Sequence, residues 1–295
     1  MESRVSALND KDKTPYVVTS KSFAAVAINC AAKAGEWIKS KQGTVKQLNT
    51  KTSAQDLVTE VDKGAEMMIR KLILTHFPDH AILGEEGVGP GAEASAEALS
   101  AVREEEYVWI IDPVDGTTNY VHGFPFYSVS IALAYQDEVI LGVIYDPSRD
   151  ELFIAEKGKG AYVHGNPTRV SGELTLTESL LATGFPIDAE FNLPQNMAGL
   201  QALLPKVRNL RAGGSAALHM AYVAAGRLSG YWEIGLNAWD VAAGALLVEE
   251  SGGRVTDTVG KPYDLGVRNI VATNGAFHQE LLDTLAEAQG TGYRS

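Results

Sequence analysis

One stretch of the chain, WIIDPVDGTTN at residues 109–119, restricts the possible folds more than any other part of the sequence. An apolar run ends there in two carboxylates, Asp112 and Asp115, which are separated by a proline-containing turn. This pattern predicts a buried strand that delivers two acidic side chains to one point at the edge of a sheet. Carboxylate oxygens and a carbonyl such as that of Val114 are the ligands that Mg²⁺ prefers, so the stretch is typical of a hard-cation site.

The residues after the two aspartates favour a phosphate site. Gly116 lets the backbone approach a ligand closely, and Thr117 can open a helix whose free N–H groups would receive an anion. The same residues also suit an ordinary Asp-Pro turn that caps a strand and starts a helix. Partners elsewhere in the chain must therefore decide between a turn and a metal site.

Composition limits the classes of partner. The chain has 295 residues, 45% of them hydrophobic and 21% charged, as in ordinary globular proteins. Its formal net charge of -12 disfavours nucleic acid and anionic membranes, because both require a basic surface. An anionic small substrate would also be repelled unless a cation neutralised it locally.

The single cysteine, Cys30, excludes an intrachain disulfide and favours a reducing compartment. Its apolar neighbours predict a packing residue on a helix rather than a nucleophile. Residues 1–22 lack the apolar segment of a secretion signal, and no later apolar run reaches the roughly 18 residues that a membrane span needs. We therefore expect a soluble, cytoplasmic protein with no membrane partner.

The spacing of apolar residues predicts a layered α/β fold. Two helices that pack together are expected at 23–41 and 56–77, followed by a mainly antiparallel sheet and then by alternating strands and helices. The first sheet is predicted from strands at 81–84, 107–112, 128–135, 139–145, 150–156 and 160–163. The second, sandwiched by helices, is predicted from strands at 180–183, 209–211, 228–233, 253–256 and 269–272, with helices at 192–204, 215–225, 239–250 and 276–288.

The domain organisation is expected to be simple. Residues 1–22 form a predicted N-terminal extension, and residues 23–295 form one domain with two lobes that divide near 172. The Ala/Glu/Gly-rich segment 87–106 is expected to be a solvated flap or a short exposed helix.

Two further acidic positions could complete the cluster. Glu85 follows the predicted strand 81–84 and would join Asp112 and Asp115 if the two strands were neighbours, although a solvated loop would also explain it. Asp240 falls in the first turn of a predicted helix, where the helix dipole alone would favour an acid.

The helix that carries Asp240 has a second unusual feature. Trp239 precedes the acid, and the small residues of 242–244 follow it. This combination predicts a helix that packs very closely against another element.

Together these motifs resemble those of the inositol monophosphatase family. The motifs are GEE at 84–86, DPVDGT at 112–117 and WDVAAG at 239–244, and the similarity extends over 24–272. The stretches DLVTEVD at 56–62, TNYVHGFP at 118–125 and GGSAA at 213–217 favour this branch of the lithium-sensitive, magnesium-dependent sugar phosphatases. The resemblance implies an alternating α-β-α-β-α sandwich of the sugar phosphatase type, with a metal-binding lobe at about 23–172 and a substrate-recognition lobe at 173–295.

The resemblance also implies a set of metal ligands, with two or three Mg²⁺ per site. The first Mg²⁺ would be held by Glu85, Asp112, the Val114 carbonyl and Asp115. The second would be held by Asp112, Asp115 and Asp240, and a weaker third would lie near Asp62. Lys51 matches a basic residue near the third metal, although a solvated lysine would look the same. Four carboxylates around one cavity would raise each other's pKa values, so a bound cation should stabilise the site.

The resemblance implies substrate contacts as well. Gly116 and Thr117 would offer N–H groups to the phosphate, and Gly214, Ser215 and Ala216 would line the inositol ring. Asp240 counts among the substrate contacts, and Glu233 would accept hydrogen bonds from ring hydroxyls. A water oriented by Glu85 and the Thr117 hydroxyl would attack phosphorus in line, without a phosphoenzyme. His122 lies in a family-like segment and is expected to be structural.

Several alternatives stay open at this point. A relative on the same fold could cleave fructose 1,6-bisphosphate, adenosine bisphosphate, histidinol phosphate or NADP with the same acids. A regulatory binding protein could have kept the fold with secondary phosphatase activity, as some bacterial relatives act on transcription complexes. The resemblance further implies a homodimer and inhibition by Li⁺.

Overall fold

The computed structural model describes residues 22–43, 48–50, 57–185 and 190–293. These ranges contain eight α-helices: α1 Phe23–Lys41, α2 Glu60–His76, α3 Ala92–Val102, α4 Thr117–His122, α5 Asn192–Leu203, α6 Ala216–Ala224, α7 Ala238–Glu250 and α8 His278–Glu287. None of the helices in the described ranges has the length and apolarity needed to cross a membrane.

The strands of the same ranges form three sheets. A short antiparallel pair joins β1 Leu48–Thr50 to β2 Leu57–Thr59. A seven-stranded sheet follows sequence order: β3 Ala81–Gly84, β4 Tyr107–Asp115, β5 Ser128–Tyr135, β6 Glu138–Asp146, β7 Glu151–Glu156, β8 Gly160–Val163 and β9 Asn166–Pro167. The five-stranded sheet contains β10 Leu180–Thr183, β11 Asn209–Arg211, β12 Gly230–Glu233, β13 Arg254–Asp257 and β14 Ile270–Thr273, in the order β11-β10-β12-β14-β13.

The two large sheets divide the molecule into five layers. Helices α1 and α2 cover one face of the seven-stranded sheet, and α6 and α7 fill the space between the two large sheets. Helices α5 and α8 cover the outer face of the five-stranded sheet. The expected α-β-α-β-α sandwich is therefore confirmed.

Strand β4 illustrates why the sequence folds this way. Trp109 and Ile111 point into the core under α1 and α2, while Val108 and Ile110 point into the core under α7. Because successive side chains of a strand point to opposite faces, a continuous apolar run suits a strand that is covered on both sides. The strand must therefore lie inside the sandwich, with its acidic end at the edge.

Helix α7 lies directly on the seven-stranded sheet. At Gly142 of β6, an added Cβ atom would come within 2.7 Å of the Ala243 carbonyl oxygen. On the neighbouring strand β5, the Ser130 hydroxyl donates to the Trp239 carbonyl oxygen at 3.3 Å. The small residues 242–244 thus serve the close approach that the sequence predicted.

Two elements differ in detail from the sequence prediction. The second helix begins at Glu60 rather than at residue 56, because β2 occupies residues 57–59 in its ladder with β1. The segment 87–106 contains α3, whose Leu99 is buried in the central core. The second of the two expectations for this segment, a short helix, is the one that the structure supports.

The structure agrees with the sequence prediction for Cys30. Cys30 is buried on α1, and burial raises the pKa of its thiol to about 12, which disfavours the thiolate that a nucleophile would need. Residues 1–21 of the predicted N-terminal extension lie outside the described ranges. The division into lobes near residue 172 stays a prediction.

Candidate active site

The sheet register brings Glu85 to the two aspartates of the DPVDG motif. Strand β3 pairs parallel to β4, with Gly84 opposite Ile111, so Glu85 follows its strand at the point where Asp112 lies on the next. The carboxyl groups of Glu85 and Asp112 lie within hydrogen-bonding reach of each other. The condition set by the sequence, that the two strands be neighbours, is fulfilled.

A bulge shapes the end of β4. The register with β5 shifts between Asp112 and Asp115, so the Pro113 turn lies inside the strand and not beyond it. The Val114 N–H donates to Asp112 Oδ1 at 3.0 Å, which orients that carboxylate. Gly116 then takes a φ of 95°, a left-handed conformation that favours glycine, and α4 begins at the next residue.

Asp240 reaches the same place from another layer. It lies in the first turn of α7, where the Asn237 N–H donates to its Oδ2 at 2.7 Å. The buried Trp239 beside it is held on β5 through its carbonyl oxygen. The sandwich packing of α7 therefore brings Asp240 to the cluster.

The pKa values of the acidic side chains reflect the presence of four carboxylates in one place. Burial raises the pKa of Asp112 well above its usual value, and the charges of Glu85, Asp115 and Asp240 raise it further. Burial and Glu85 likewise raise the pKa of Asp240, while the Asn237 N–H lowers it. Each carboxylate thus makes the ionised form of its neighbours less stable.

Asp115 has the most extensive set of hydrogen bonds. Its Oδ2 accepts from the Ser215 hydroxyl and from the Ala217 N–H at 2.8 Å, and its Oδ1 accepts from the Ala216 N–H at 3.2 Å. Burial raises the pKa of Asp115 to about 6, although these three donors pull it downward. Ser215 and Ala216, expected at the inositol ring, therefore also hold a predicted metal ligand.

The donor set fits a hard divalent cation. All the predicted ligands are carboxylate or carbonyl oxygens, and a cation would relieve the repulsion among them. Within the described ranges, no group of three or more acidic, histidine or cysteine side chains is already arranged so that it could hold a metal ion. The hydrogen bonds of Asp115 leave further lone pairs on its carboxylate, so they do not prevent coordination.

Asp62 and Thr117 meet at the side of the cluster. The Thr117 hydroxyl lies 3.0 Å from Asp62 Oδ1 and 3.1 Å from the Val114 carbonyl oxygen. Asp62 is buried in the first turn of α2. Lys51 lies outside the described residues.

An amide that the sequence motif contains but did not single out links two loops. The Asn119 Nδ2 donates to the carbonyl oxygens of Phe126 at 2.6 Å and Gly213 at 2.7 Å, with Gly214 at 3.3 Å. Asn119 lies on α4, three residues after Gly116 of the predicted phosphate site. This side chain therefore connects the predicted phosphate loop, around residues 116–117, to the predicted ring loop, at residues 213–216.

Glu233 lies at the end of β12 and is buried. The Tyr231 hydroxyl donates to Glu233 Oε2, and burial raises the pKa of Glu233 to about 7. Tyr231 also contacts the ring of His219, whose Nε2 accepts from the Gly213 N–H at 3.0 Å. The two-residue spacing of Tyr231 and Glu233 on one strand is the signal that could have identified Tyr231 from the sequence.

His122 lies at the end of α4. A different histidine, His219, is buried beside the site. Burial lowers the pKa of His219 to about 4. A neutral ring is what its acceptor role toward Gly213 requires. His219 therefore supports the ring loop without carrying charge.

Comparison with known proteins finds relatives that match most of the chain. A model of the inositol monophosphatase family matches residues 20–291 of the chain. The chain is 43% identical over 261 residues to an inositol-1-monophosphatase of Synechocystis sp., covering 88% of each protein. It is 42% identical over 264 residues to Nus factor SuhB of Pseudomonas aeruginosa, covering 88% of this chain and 94% of that protein. The solved structure of extragenic suppressor protein suhB from Bartonella henselae superposes with a TM-score of 0.81 at 37% identity, covering 89% of this chain and 97% of that chain.

Proposed function

The chain belongs to the inositol monophosphatase family and is a phosphatase, and from this premise we propose that it hydrolyses myo-inositol monophosphate to myo-inositol and phosphate with Mg²⁺. The observation that carries the proposal is the convergence of acids from three separate motifs. Glu85 comes from the end of β3, Asp112 and Asp115 from β4, and Asp240 from α7. A strand cap or a helix dipole explains any one of these acids but not their mutual electrostatic coupling.

In this proposal the first Mg²⁺ is held by Glu85, Asp112, the Val114 carbonyl and Asp115. Asp112, Asp115 and Asp240 hold a second, and Asp62 lies near a third. When bound, Mg²⁺ supplies Lewis-acid chemistry and lowers the pKa of a water molecule. The acidic side chains that would hold Mg²⁺ would thereby allow an anionic phosphate to enter a protein whose net charge is -12.

The chain's own groups orient the reactants. Gly116 and Thr117 offer N–H groups to the phosphate, while Glu85 and the Thr117 hydroxyl orient the attacking water. The position of the Thr117 hydroxyl between Asp62 and the Val114 carbonyl supports this role. Holding phosphorus and water in line accounts for a large part of the acceleration, because phosphate monoesters hydrolyse very slowly unaided.

Ring recognition is assigned to Gly214, Ser215, Ala216 and Glu233, with Asp240 at the boundary between ring and metal. Glu233 in its ionised form accepts hydrogen bonds from ring hydroxyls. The Ser215 hydroxyl and the Ala216 N–H already donate to Asp115, so ring contacts from these two residues must use their other atoms.

A panel of phosphomonoesters tests the proposed substrate. The kcat/KM values for myo-inositol 1-phosphate, fructose 1,6-bisphosphate, adenosine bisphosphate, histidinol phosphate and NADP are compared while Mg²⁺ is titrated. We expect myo-inositol 1-phosphate to rank first and turnover to vanish in chelator. If myo-inositol 1-phosphate ranked among the poorest substrates, the substrate assignment would fail while the phosphatase assignment would stand.

A second candidate function is favoured by the relative from Pseudomonas aeruginosa, which is named a Nus factor. In this alternative the chain has a binding role besides, or above, its phosphatase activity. Pull-down of transcription proteins with wild type and with Asp112→Asn separates the two roles. Binding that survives in the inactive variant supports the second role, and absence of specific binding removes it.

Homodimer formation, a cytoplasmic location and inhibition by Li⁺ belong to the same proposal and are supported by the family resemblance. Turnover measured against LiCl at saturating Mg²⁺ is expected to fall. Complete indifference to LiCl would count against the lithium-sensitive branch.

A further inference from the structure

The turn that carries Glu85 is supported from below by a buried carboxylate. Glu66 lies on α2, and its side chain is 5% exposed. Its Oε2 accepts from the Glu86 N–H at 2.8 Å. Its Oε1 accepts from Arg70 Nε at 2.7 Å, one helical turn further along α2.

The packing between this ion pair and the turn leaves little room for a side chain at Gly84 or Gly87. A Cβ atom at Gly84 would lie 2.6 Å from the carboxylate carbon of Glu66. A Cβ atom at Gly87 would lie 3.1 Å from an Arg70 guanidinium nitrogen. Glu66 and Arg70 therefore press against the backbone on both sides of Glu85.

Stability alone does not account for a carboxylate at this position. Desolvation offsets much of the attraction within a buried ion pair, and a well-packed apolar residue is often as stable. What an apolar residue cannot do is accept the hydrogen bond of the Glu86 N–H. The hydrogen bond from the Glu86 N–H is therefore what distinguishes Glu66 from an apolar residue, and this bond ties the turn to α2.

Helix α2 connects this contact to a second part of the cluster. Asp62 and Glu66 stand four residues apart, so they lie on the same helix face. Asp62 accepts a hydrogen bond from the Thr117 hydroxyl, and Glu66 accepts a hydrogen bond from the Glu86 N–H. One rigid face of α2 therefore contacts both the 85–86 turn and the start of α4.

We propose that Glu66, oriented by Arg70, is a positioning residue that holds Glu85 where it coordinates the divalent cation. This inference rests on the proposed function. Loss of groups that orient a metal ligand typically weakens metal affinity by 10- to 100-fold. Glu66 makes no contact with substrate in this scheme and acts through the backbone of its neighbour.

Direct Mg²⁺ binding to the purified full-length protein tests the proposal without relying on turnover. Calorimetric titration of Mg²⁺ into chelator-treated protein gives Kd for wild type, Glu66→Met and Glu66→Gln. Methionine fills the space without accepting the hydrogen bond, and the Arg70 side chain, 33% exposed, can turn to water. We expect Glu66→Met to raise Kd about tenfold or more, and Glu66→Gln to stay within about threefold because its amide oxygen still accepts from Glu86.

Gly84→Ala attacks the same contact from the other side and is expected to raise Kd in the same direction. Asp257→Ala is the matched control, because Asp257 is also a buried carboxylate that accepts two turn N–H groups, from Val259 at 2.9 Å and Lys261 at 2.8 Å. It should lower the melting temperature and leave Kd unchanged, since its turn carries no predicted metal ligand.

The outcomes separate the two claims. Wild-type affinity in Glu66→Met and Gly84→Ala overturns the positioning role and leaves the proposed function intact. Equal weakening in Asp257→Ala also overturns it, because general destabilisation would then explain the loss. Absence of Mg²⁺ binding in the wild type overturns the proposed function and the positioning role together.

Discussion

Neutralising Asp115 should change how the stability of the metal-free protein depends on pH. The pKa of Asp115 is raised from its usual 3.8 to about 6, and the residue is only 8% exposed, so solvent screens its charge little. A difference of one pKa unit corresponds to about 1.4 kcal/mol, so ionising Asp115 in the folded chain costs ~3 kcal/mol in total.

The direction of this effect follows from the raised pKa. The folded state binds the Asp115 proton more tightly than the unfolded state does, so the associated stability is complete below pH 3.8 and is lost as the pH rises through about 6. Roughly half of the loss, ~1.4 kcal/mol, falls between pH 5 and pH 8. Raised pKa values at Asp112 and Asp240 act in the same direction.

Buried histidines oppose this trend. Burial lowers the pKa values of His219 and His278 to about 4, so their stability contribution is present above the usual 6.5 and is lost as the pH falls. The wild-type curve is therefore a sum of opposite terms. The difference between wild type and Asp115→Asn cancels the histidine contributions, because the histidines titrate alike in both proteins. It contains the Asp115 contribution together with the relief of Asp112 and Asp240, whose pKa values the Asp115 charge raises, and both act in the same direction.

Chemical denaturation in the presence of chelator at pH 5 and pH 8 gives the required free energies of unfolding. Relative to wild type, Asp115→Asn should gain at least ~1.4 kcal/mol on going from pH 5 to pH 8, because the loss of the Asp115 charge also relieves Asp112 and Asp240. Saturating Mg²⁺ should stabilise the wild type at pH 8 and reduce that difference. A difference between the two proteins that is independent of pH, or that has the opposite sign, would refute the raised pKa of the Asp115 carboxyl group.

Four further substitutions test the site. Asp112→Asn or Asp240→Asn should lower kcat by several orders of magnitude while the circular dichroism spectrum stays native, and near-native turnover would contradict the metal-ligand assignment. Asn119→Ala removes the amide shared by two loops. The phosphate and ring loops should then be misplaced, so kcat/KM should fall about tenfold or more. Unchanged kinetics would show that the loops hold their positions without this amide. Glu233→Gln should raise KM for myo-inositol 1-phosphate about tenfold through a weaker acceptor, with little effect on p-nitrophenyl phosphate, which has no inositol hydroxyls. Equal effects on both substrates would argue against a ring contact.

Much of the site could be predicted because its motifs are local. In β4, a run of apolar side chains ends in Asp112, and this run indicates a buried strand without any knowledge of the partner strands. In the structure, its side chains alternate between two cores. The glycine at 116, the helix that starts at Thr117 and the first-turn acid Asp240 are equally local features. For these residues the local backbone rules and the tertiary structure agree.

The predictions failed or fell short where distant segments compete. Residues 57–59 suit a helix by pattern, but pairing with 48–50 places them in a strand. Asn119 looks like one polar residue among several in its motif until Gly213, 94 positions away, is found to accept its hydrogen bond. Glu66 looks like an acid on an amphipathic helix until Gly84 is found against it.

The sequence by itself determined the layered order of strands and helices and the turn that follows β4, because each depends on side-chain periodicity or on local backbone preference. It also supplied the candidate oxygen ligands, through motifs that resemble those of the family. Only the tertiary structure decided that these ligands form one cluster. The parallel pairing of β3 with β4 brings Glu85 to Asp112, and Ser215 reaches Asp115 across 100 positions of sequence. Such contacts arise from burial of both faces of the sheet, and no local pattern encodes which distant segment will cover them.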